Sequence, residues 1–488
     1  MSRPTAAFRT LVLILTLGAA SPLAAEAGLQ ERVEAKLREA GPGSRFGFVV
    51  ATEEGRELVA IAPDQRFIPA SNTKMFTTAA AFATLGPIDE PDTSGGAAVR
   101  LDGWGQSAPD VVLEGRGDAR LSSAPDCVSN CLQILADAVA AKTRVVRNVT
   151  GDDSLFPDQR WSPGMSWNNM QTRSGTAVSA LTLDDNELPL RVTPSAVGKP
   201  PSLDHLPYYS VDNRAVTVAA GPTSLQFDRL PGSAVVRLTG TIALGAEPER
   251  LRFGIDDPAH YAAWRFRTLL EARGVRVTGA VAARHRPLSA ADDPAVRNGA
   301  PPARPPETEP LARLIPAPLA EDLVHTNKVS QNVHAELLLR RVGRRDGTGS
   351  IADGLAAIRA MLAQAGVART EYDLADGSGM STYNRAAPRG VVRFLRWIAA
   401  QPWGAAWRGT LPVAGVDGTL SRRFRGTALE RRLFAKTGTL NASSALSGYM
   451  IAASGRTLIF SAYANDIPEG ASATSTIDRA LELIAAEN

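Results

Sequence analysis

The chain has 488 residues, of which 44% are hydrophobic and 21% are charged, and its formal net charge is +3. This composition is typical of a globular protein with room for about two to four domains. Charges of both signs are mixed along the chain and no nucleic-acid-binding motif occurs, so we expect no nucleic-acid partner.

The first 27 residues have the pattern of a secretory signal peptide. Arg3 and Arg9 supply positive charge around an apolar run at 11–20 that is too short to span a bilayer, and Ala25-Glu26-Ala27 offers small residues for cleavage. No later stretch is apolar for long enough to anchor the chain in a membrane. We therefore expect an exported, periplasmic protein that is cleaved near Ala27 and has no membrane anchor.

Regular helix and strand patterns dominate both ends of the chain, whereas the middle is richer in proline, glycine and serine. The first end predicts a helix through Leu29, Val33 and Leu37, strands at 45–52 and 58–61, and a buried helix at 71–85. The middle predicts short strands such as 110–114 and 235–243, followed by a proline-rich linker at 301–306. The last end predicts helical segments at 319–342 and 351–365, strands at 443–452 and 457–463, and a helix at 475–488. The two ends therefore look like halves of one α/β domain that is split by a strand-rich insertion.

The two cysteines, Cys127 and Cys131, lie four positions apart. One such pair cannot supply a four-ligand zinc site, and no histidine cluster lies nearby in sequence. In an oxidising compartment the pair either forms a local disulfide or stays as two free thiols, and the sequence leaves both states open.

The segment Ser71-Asn72-Thr73-Lys74 has the form S-x-x-K at the start of the buried helix. Residues three apart share a helix face, so the Lys74 amine can reach the Ser71 hydroxyl. Serine becomes a good nucleophile when a base removes its proton, and lysine is such a base when burial or a nearby cation lowers its pKa. We therefore predict Ser71 as the nucleophile and Lys74 as its base.

A rarer motif, Lys436-Thr437-Gly438-Thr439, lies in what the sequence predicts to be an edge strand. Glycine there lets a substrate backbone approach closely, the two hydroxyls can bind a carboxylate, and Lys436 supplies positive charge. The alternative is a transition from strand to turn with an exposed lysine.

A third motif, Ser330-Gln331-Asn332, has the form S-x-N and lies beside Lys328. Lysine occurs only six times in this arginine-rich chain, and three of the six fall inside or beside the three motifs. Lysine differs from arginine in that its amine can lose a proton, so this concentration predicts that the motifs meet in one catalytic site.

In this chain order, S-x-x-K, S-x-N and K-T-G are the motifs of serine β-lactamases and penicillin-binding proteins. The sequence most closely resembles the class C low-molecular-mass penicillin-binding proteins, which are D-alanyl-D-alanine carboxypeptidases and endopeptidases. The long step from Ser71 to Ser330 favours this class over class A β-lactamases. Further matching segments lie at 115–118, 151–156, 178–181, 185–186, 376–381 and 411–420.

The resemblance implies an α/β fold with a penicillin-binding-protein/β-lactamase-like catalytic domain, an antiparallel sheet with helices, interrupted by two nested, strand-rich domains. The expected boundaries are 28–93 and 306–488 for the catalytic domain, 94–120 and 205–305 for inserted domain II, and 121–204 for nested domain III. No metal or organic cofactor is implied.

The resemblance also implies roles for the motif residues. Ser71 would form an acyl-enzyme after losing its proton to Lys74, and Ser330 would relay a proton to the leaving amine. Asn332 would hold the substrate backbone, and Lys436 would support the proton relay.

Thr437, Gly438 and Thr439 would bind the substrate and its terminal carboxylate, with the N–H groups of Ser71 and Thr439 forming the oxyanion hole. The implied function is a serine-type D-Ala-D-Ala carboxypeptidase, with D,D-endopeptidase action as an additional activity. The implied partners are peptidoglycan stem peptides, with β-lactam antibiotics as covalent inhibitors.

One departure from the family concerns the amine-bearing side chain of the stem peptide, which the family can recognise with an acidic residue in the nested domain. The corresponding stretch, at 161–170, contains no acidic residue but includes Trp161, Trp167 and Asn169 as candidate recognition residues. The alternative is that the two tryptophans pack the core of a small domain.

Three other functions compete with this interpretation. A serine β-lactamase would share the acylation machinery, but no Glu-x-x-x-Asn pattern follows Ser71 at a useful distance. A Ser-His-Asp hydrolase would need one of the five histidines beside a G-x-S-x-G motif, which does not occur. A cell-wall-binding protein with an inactive site would not be expected to keep all three motifs.

Overall fold

The computed structural model describes residues 22–103, 105, 108–304 and 306–488, with side chains described from Gly28 onward. Residues 1–21 of the predicted signal peptide therefore lie outside the described residues. The described helices are α1 (Pro22–Arg38), α2 (Thr73–Thr84), α3 (Leu132–Lys142), α4 (Pro258–Glu271), α5 (Leu319–Lys328), α6 (Asn332–Asp346), α7 (Ile351–Gln364), α8 (Pro388–Ala399), α9 (Gly404–Gly409) and α10 (Ala473–Glu487).

The described strands, given in chain order, are β1 (Arg45–Thr52), β2 (Glu57–Ile61), β3 (Ala98–Asp102), β4 (Asp110–Glu114), β5 (Val145–Val146), β6 (Val149–Pro157), β7 (Glu187–Thr193), β8 (Ser202–His205), β9 (Ser210–Asn213), β10 (Val216–Val218), β11 (Ser224–Asp228), β12 (Val235–Ala243), β13 (Glu249–Gly254), β14 (Arg276–Val277), β15 (Val281–Arg286), β16 (Ala312–Arg313), β17 (Tyr372–Asp373), β18 (Arg385–Ala386), β19 (Leu433–Leu440), β20 (Ser443–Ile451) and β21 (Thr457–Asn465).

The two ends of the chain build one antiparallel sheet, in the order β19-β20-β21-β1-β2. The prediction that the two ends come together is thereby confirmed. The strand β19, which carries the K-T-G motif, lies at the edge of this sheet, as the sequence predicts. An edge strand has one row of backbone groups free to pair with another chain, so it can receive an extended peptide.

Both faces of this sheet are covered by helices. Successive residues of a strand point to opposite faces, and β1 shows this clearly. Val49 and Ala51 face the core formed with α2, α6, α7 and α8, whereas Phe48 and Val50 face the core formed with α1 and α10. Each fully buried aliphatic or aromatic side chain contributes roughly 1.5–3 kcal/mol, so this two-sided burial fixes the sheet and the helix α2, which follows Ser71, relative to each other.

The middle of the chain is strand-rich, as predicted, but it also contains two helices that the sequence analysis did not identify. Its largest sheet has the order β15-β6-β4-β3-β16 and packs against α3 and α4. One smaller sheet has the order β13-β7-β8, and another contains β9, β10, β11 and β12. The start of α4 has a typical sequence pattern of helix capping. Asp257 caps the helix by accepting from the N–H of His260, and Pro258 occupies the first turn. The domain boundaries given above remain predictions.

Cys127 and Cys131 form a disulfide, so the structure decides between the two states that the sequence left open. Its Cα–Cα distance is 5.8 Å. In the described ranges, no helix is long and apolar enough to cross a membrane.

Candidate active site

Ser71 lies in a short 3-10 turn, Ala70–Asn72, that leads directly into α2. Lys74 follows three residues later on the first turn of α2, so the two side chains share one face. Its Nζ is 2.9 Å from Oγ of Ser71. Because Lys74 is fully buried and Ser71 is partly exposed, a substrate can reach the hydroxyl while the amine stays shielded from water.

Two glycines allow neighbouring segments to approach the Ser71 turn. A Cβ atom on Gly438 would lie 2.5 Å from the carbonyl oxygen of Pro69 and 3.1 Å from the backbone nitrogen of Ser71. Gly379 has a φ of +90°, and a Cβ atom there would collide with the carbonyl oxygen of Ala70. Larger residues at 379 and 438 would therefore displace Ser71.

Three oxygen atoms surround the amine of Lys74. It donates to Oγ of Ser71, to Oδ1 of Asn332 at 2.6 Å and to the carbonyl oxygen of Ser378 at 2.7 Å. An ammonium group has three donors, and all three are used here. When the amine is neutral, two donors can remain on Asn332 and Ser378 while the lone pair faces the Ser71 hydroxyl, which is the arrangement that a base needs.

Burial lowers the pKa of Lys74 from its ordinary 10.5 to about 7, although the charges of Asp376 and Glu336 act to raise it. Burial, with a further contribution from Glu336, raises the pKa of Asp376 to about 6. Oε1 of Glu336 accepts hydrogen bonds from the N–H groups of Gly377 at 3.0 Å and Ser378 at 2.9 Å. Glu336 thereby fixes the peptide whose carbonyl oxygen holds Lys74.

The second lysine, Lys436, is also fully buried and lies on β19. Its Nζ donates to Oγ of Ser330 at 2.9 Å and to the carbonyl oxygen of Thr437 at 3.0 Å. Burial, and then the positive charge of Lys74, holds its pKa well below the usual value. Ser330 has a φ of +63°, a left-handed conformation that is uncommon for serine and that marks the break between α5 and α6.

The hydroxyls of the K-T-G strand face different surroundings. Oγ1 of Thr437 donates to Oγ1 of Thr419 at 2.7 Å, whereas Thr439 is exposed. The loop that carries Thr419 is tied to the end of α5 by an ion pair of 2.6 Å between Lys328 and Asp417. This ion pair explains why Lys328 lies beside the site without entering it.

The candidate recognition residues lie on a segment of the insertion. The indole N–H of Trp161 donates to the carbonyl oxygen of Gly175 at 2.9 Å. Trp167 is 62% exposed, and Asn169 is partly exposed. The alternative that both tryptophans pack a core therefore does not hold for Trp167.

The same part of the insertion contacts residues that surround Lys74. Nδ2 of Asn332 donates to the carbonyl oxygen of Ser174 at 2.8 Å. Oγ of Ser381, in the segment that follows Ser378, donates to the carbonyl oxygen of Pro163 at 2.6 Å. The insertion thus forms one wall of the site.

The structure gives no support for a histidine base. Both ring nitrogens of His334 bond to carboxylates, Nδ1 to Asp322 and Nε2 to Asp185 at 2.8 Å. Within the part of the chain that the structure describes, no histidine bonds to Ser71, and no group of three or more metal-binding side chains is present.

Residues 29–488 match the model of the D-Ala-D-Ala carboxypeptidase 3 (S13) family. The chain belongs to this family. It is 36% identical over 475 residues to a D-alanyl-D-alanine carboxypeptidase of Actinomadura sp. (strain R39), and this alignment covers 92% of this chain and 84% of that protein. It is 25% identical to the D-alanyl-D-alanine carboxypeptidase DacB of Haemophilus influenzae, and this alignment covers 88% of this chain and 87% of that protein.

The fold of this S13 carboxypeptidase matches the crystal structure of penicillin-binding protein 4 (dacB) from Haemophilus influenzae with a TM-score of 0.77. That match has 22% identity and covers 92% of this chain and 98% of the other. The predicted family, the α/β fold with added strand-rich sheets and the serine-type D-Ala-D-Ala carboxypeptidase function are confirmed. A Ser-His-Asp hydrolase and a protein without enzymatic activity are excluded.

Several residues of the site were not predicted from the sequence. Glu336 lies four residues after Asn332 but outside the S-x-N motif, and Thr419 lies in the segment 411–420, which was noted only as a family resemblance. Asp376 and Ser378 belong to a segment that was recognised only as a family resemblance. Their contributions follow from contacts that exist only in the folded chain.

Proposed function

We propose that this S13 carboxypeptidase cleaves the D-Ala-D-Ala ends of peptidoglycan stem peptides through an acyl-enzyme on Ser71. The observation that carries this proposal is the 2.9 Å contact between Oγ of Ser71 and Nζ of the fully buried Lys74. A lysine with a pKa near 7 is neutral often enough at physiological pH to remove the serine proton.

In the acylation step, neutral Lys74 takes the proton from Ser71 while Oγ attacks the carbonyl carbon of the scissile bond. The N–H groups of Ser71 and Thr439 stabilise the oxyanion. The C–N bond then breaks, and the departing nitrogen receives a proton from Ser330, whose hydroxyl contacts the Lys436 amine. In the deacylation step, water adds to the acyl carbon and gives a proton to the Ser330 oxygen, and Oγ of Ser71 leaves with the proton returned from Lys74.

The terminal carboxylate of the substrate binds at the K-T-G strand. Thr437 and Thr439 offer hydroxyl groups, Gly438 leaves room for a peptide backbone, and Lys436 supplies a positive field. A β-lactam acylates Ser71 by the same attack, with opening of its ring in place of loss of an amine. This agrees with a solved β-lactam complex of the Haemophilus influenzae protein, which has the same fold.

The side chain of the stem peptide is placed against the wall formed by the insertion. Trp161, Trp167 and Asn169 lie on the segment that contacts Asn332 through Ser174, and they carry no charge. We therefore infer that the amine of the side chain is bound by amide and aromatic groups, without an acidic partner.

We place this chemistry outside the cytoplasm, in the periplasm, after cleavage near Ala27. The signal-peptide pattern supports this location, and so does the disulfide between Cys127 and Cys131, because disulfides persist in oxidising compartments.

The proposed function is tested by measuring release of D-alanine from a stem pentapeptide. The purified protein should release one D-alanine per peptide, and Ser71→Ala should release none. Thr437→Val should raise KM more than it lowers kcat if this hydroxyl binds the terminal carboxylate. Release of D-alanine by Ser71→Ala at the parental rate would overturn the proposal.

A further inference from the structure

A cavity of about 510 Å³ lies away from the catalytic residues, between the largest sheet of the insertion and the carboxyl end of α6. Its volume is in the range of small-molecule binding sites. The lining contains none of the residues placed in the active site, but it includes four carboxylates and five arginines: Glu114, Asp152, Asp292, Glu307, Arg100, Arg116, Arg286, Arg304 and Arg344.

Three of these arginines have carboxylate partners, the first being Arg100, which pairs with Glu114 at 2.6 Å. Arg116 pairs with Glu307, and Arg286 pairs with Asp292 at 2.8 Å. Glu307 also pairs with Arg313 at 3.0 Å, so its charge is shared between two guanidinium groups.

The other two arginines have no carboxylate partner. Arg344 donates to the carbonyl oxygen of Leu155 at 3.4 Å, and Arg304 donates to the carbonyl oxygen of Arg344. In the described residues, no Asp or Glu oxygen lies within 4.0 Å of either guanidinium, whereas most other arginines of the chain are paired.

The position of Arg344 is electrostatically unfavourable as it stands. Burial, followed by the charges of Arg304, Arg116 and Arg286, lowers the pKa of its guanidinium to about 10, although the charge of Glu307 acts to raise it. The carboxyl end of α6 supplies only about half an elementary charge. A partly buried cation that faces other cations is stabilised when an anion binds among them.

We propose that this cavity binds a phosphate group carried by a small molecule or a polymer, held chiefly by Arg344 and Arg304. The planar guanidinium fork matches phosphate oxygens with paired hydrogen bonds. A phosphate can accept from several guanidinium groups at once, which a single carboxylate does less well. The volume also leaves room for the group to which the phosphate is attached.

The test is thermal unfolding and titration calorimetry with two probes, inorganic phosphate and an oligomer of glycerol phosphodiester, each compared with sodium chloride at equal ionic strength. The parent should show a saturable rise in Tm with at least one probe. A response to the phosphodiester alone identifies a polymer as the source, and a response to inorganic phosphate alone identifies the phosphate monoester of a small molecule. No response beyond that of chloride with either probe would overturn the proposal.

The deciding variant is Arg344→Gln, with Arg345→Gln as its control. Arg345 follows on the same helix but is exposed and does not line the cavity. Arg344→Gln should lose about tenfold or more in affinity for the probe, on the scale of a charge-assisted hydrogen bond, and Arg345→Gln should bind like the parent. Equal loss in both variants would show general charge attraction and contradict the site.

A second readout separates binding from folding. In phosphate-free buffer, Arg344→Gln should be at least as stable as the parent, because the substitution removes repulsion among the arginines. Both variants should keep parental acylation by penicillin, since neither residue touches the active site. A lower Tm of Arg344→Gln in phosphate-free buffer would show that Arg344 serves packing, and the proposal would fail.

Discussion

The proposed role of Lys74 requires a lysine at this position. Its three hydrogen-bond acceptors suit an ammonium group, and its burial suits a neutral amine. The group can therefore exist in both forms near neutral pH, as a residue must if it takes and returns a proton. Arginine keeps the charge but cannot lose the proton.

Lys74→Arg should fold and should be acylated by penicillin at least about a hundredfold more slowly, which is the usual scale for loss of a general base. Stopped-flow acylation kinetics measure this directly. Lys142→Arg and Lys199→Arg are matched controls because both lysines are exposed and lie outside every motif. A near-parental rate in Lys74→Arg would mean that the amine supplies only charge.

The pKa of Lys74 also predicts a pH profile. The base is active when deprotonated, so the acylation rate should rise with pH through about 7 and then level off. Glu336→Gln removes a negative charge that raises the pKa of Lys74, so the rise should move to lower pH by roughly 0.5–1 unit. Glu57→Gln, on the outer strand β2, is the control and should leave the pH dependence of acylation unchanged. A shift to higher pH in Glu336→Gln would contradict the account.

The sequence singled out Ser71, Lys74 and Lys436 because they lie in short motifs whose spacing has local meaning, and their catalytic roles stay predictions. It did not predict Glu336 or Thr419, whose contributions depend on distant segments. Glu336 acts by accepting hydrogen bonds from residues 377 and 378, which no periodicity relates to it.

At the scale of elements, the approach of β19 to the Ser71 turn depends on Gly438. Gly438→Ala should slow acylation at least about tenfold and destabilise the protein by roughly 1–3 kcal/mol, because the new Cβ meets backbone atoms that cannot move independently. Acylation rates and denaturant unfolding measure the two effects. Gly245→Ala, which has open space around it, should be nearly silent in both. An unaffected Gly438→Ala would show that β19 has more freedom than the structure indicates.

The helical pattern at 319–342 appeared continuous in sequence, but the structure divides it into α5 and α6. The break falls at Ser330, in its left-handed conformation, and the side chain of Gln331 accepts from the N–H of Asn332 to begin α6. Hydrophobic periodicity reports which face is buried and is insensitive to a short break, so it could not show this turn.

At the scale of the whole molecule, a buried ion bridge joins the insertion to the catalytic helices. His334 on α6 lies between Asp322 of α5 and Asp185 of the insertion. Burial acts to lower the pKa of His334, but the two carboxylates outweigh it and raise the pKa to about 10.

This bridge predicts a pH-dependent stability. A histidine whose pKa is raised from 6.5 to about 10 on folding contributes stability that is complete below pH 6.5 and is lost as the pH rises through 10. His334→Gln should therefore lower Tm by several degrees at pH 6 and by much less at pH 10. His205→Gln is the control, because His205 bonds only to a backbone carbonyl. An effect of His334→Gln that is equal at both pH values would contradict the charged bridge.

The sequence predicted that the two ends of the chain form one domain, because their strands and helices show clear periodicity. It could not predict how the insertion packs against the catalytic domain. Asp185 and His334, which are in contact, are separated by 149 positions in the sequence, and Ser174 and Asn332 are separated by 158. Such long-range contacts leave no periodic signal in the chain.

The central claim is that Ser71 becomes acylated, and mass spectrometry after incubation with benzylpenicillin tests it most directly. The account predicts that the protein gains the mass of one penicillin molecule, that the adduct lies on the peptide containing Ser71, and that Ser71→Ala gains none. An adduct on another serine, such as the nearby Ser378, would contradict it.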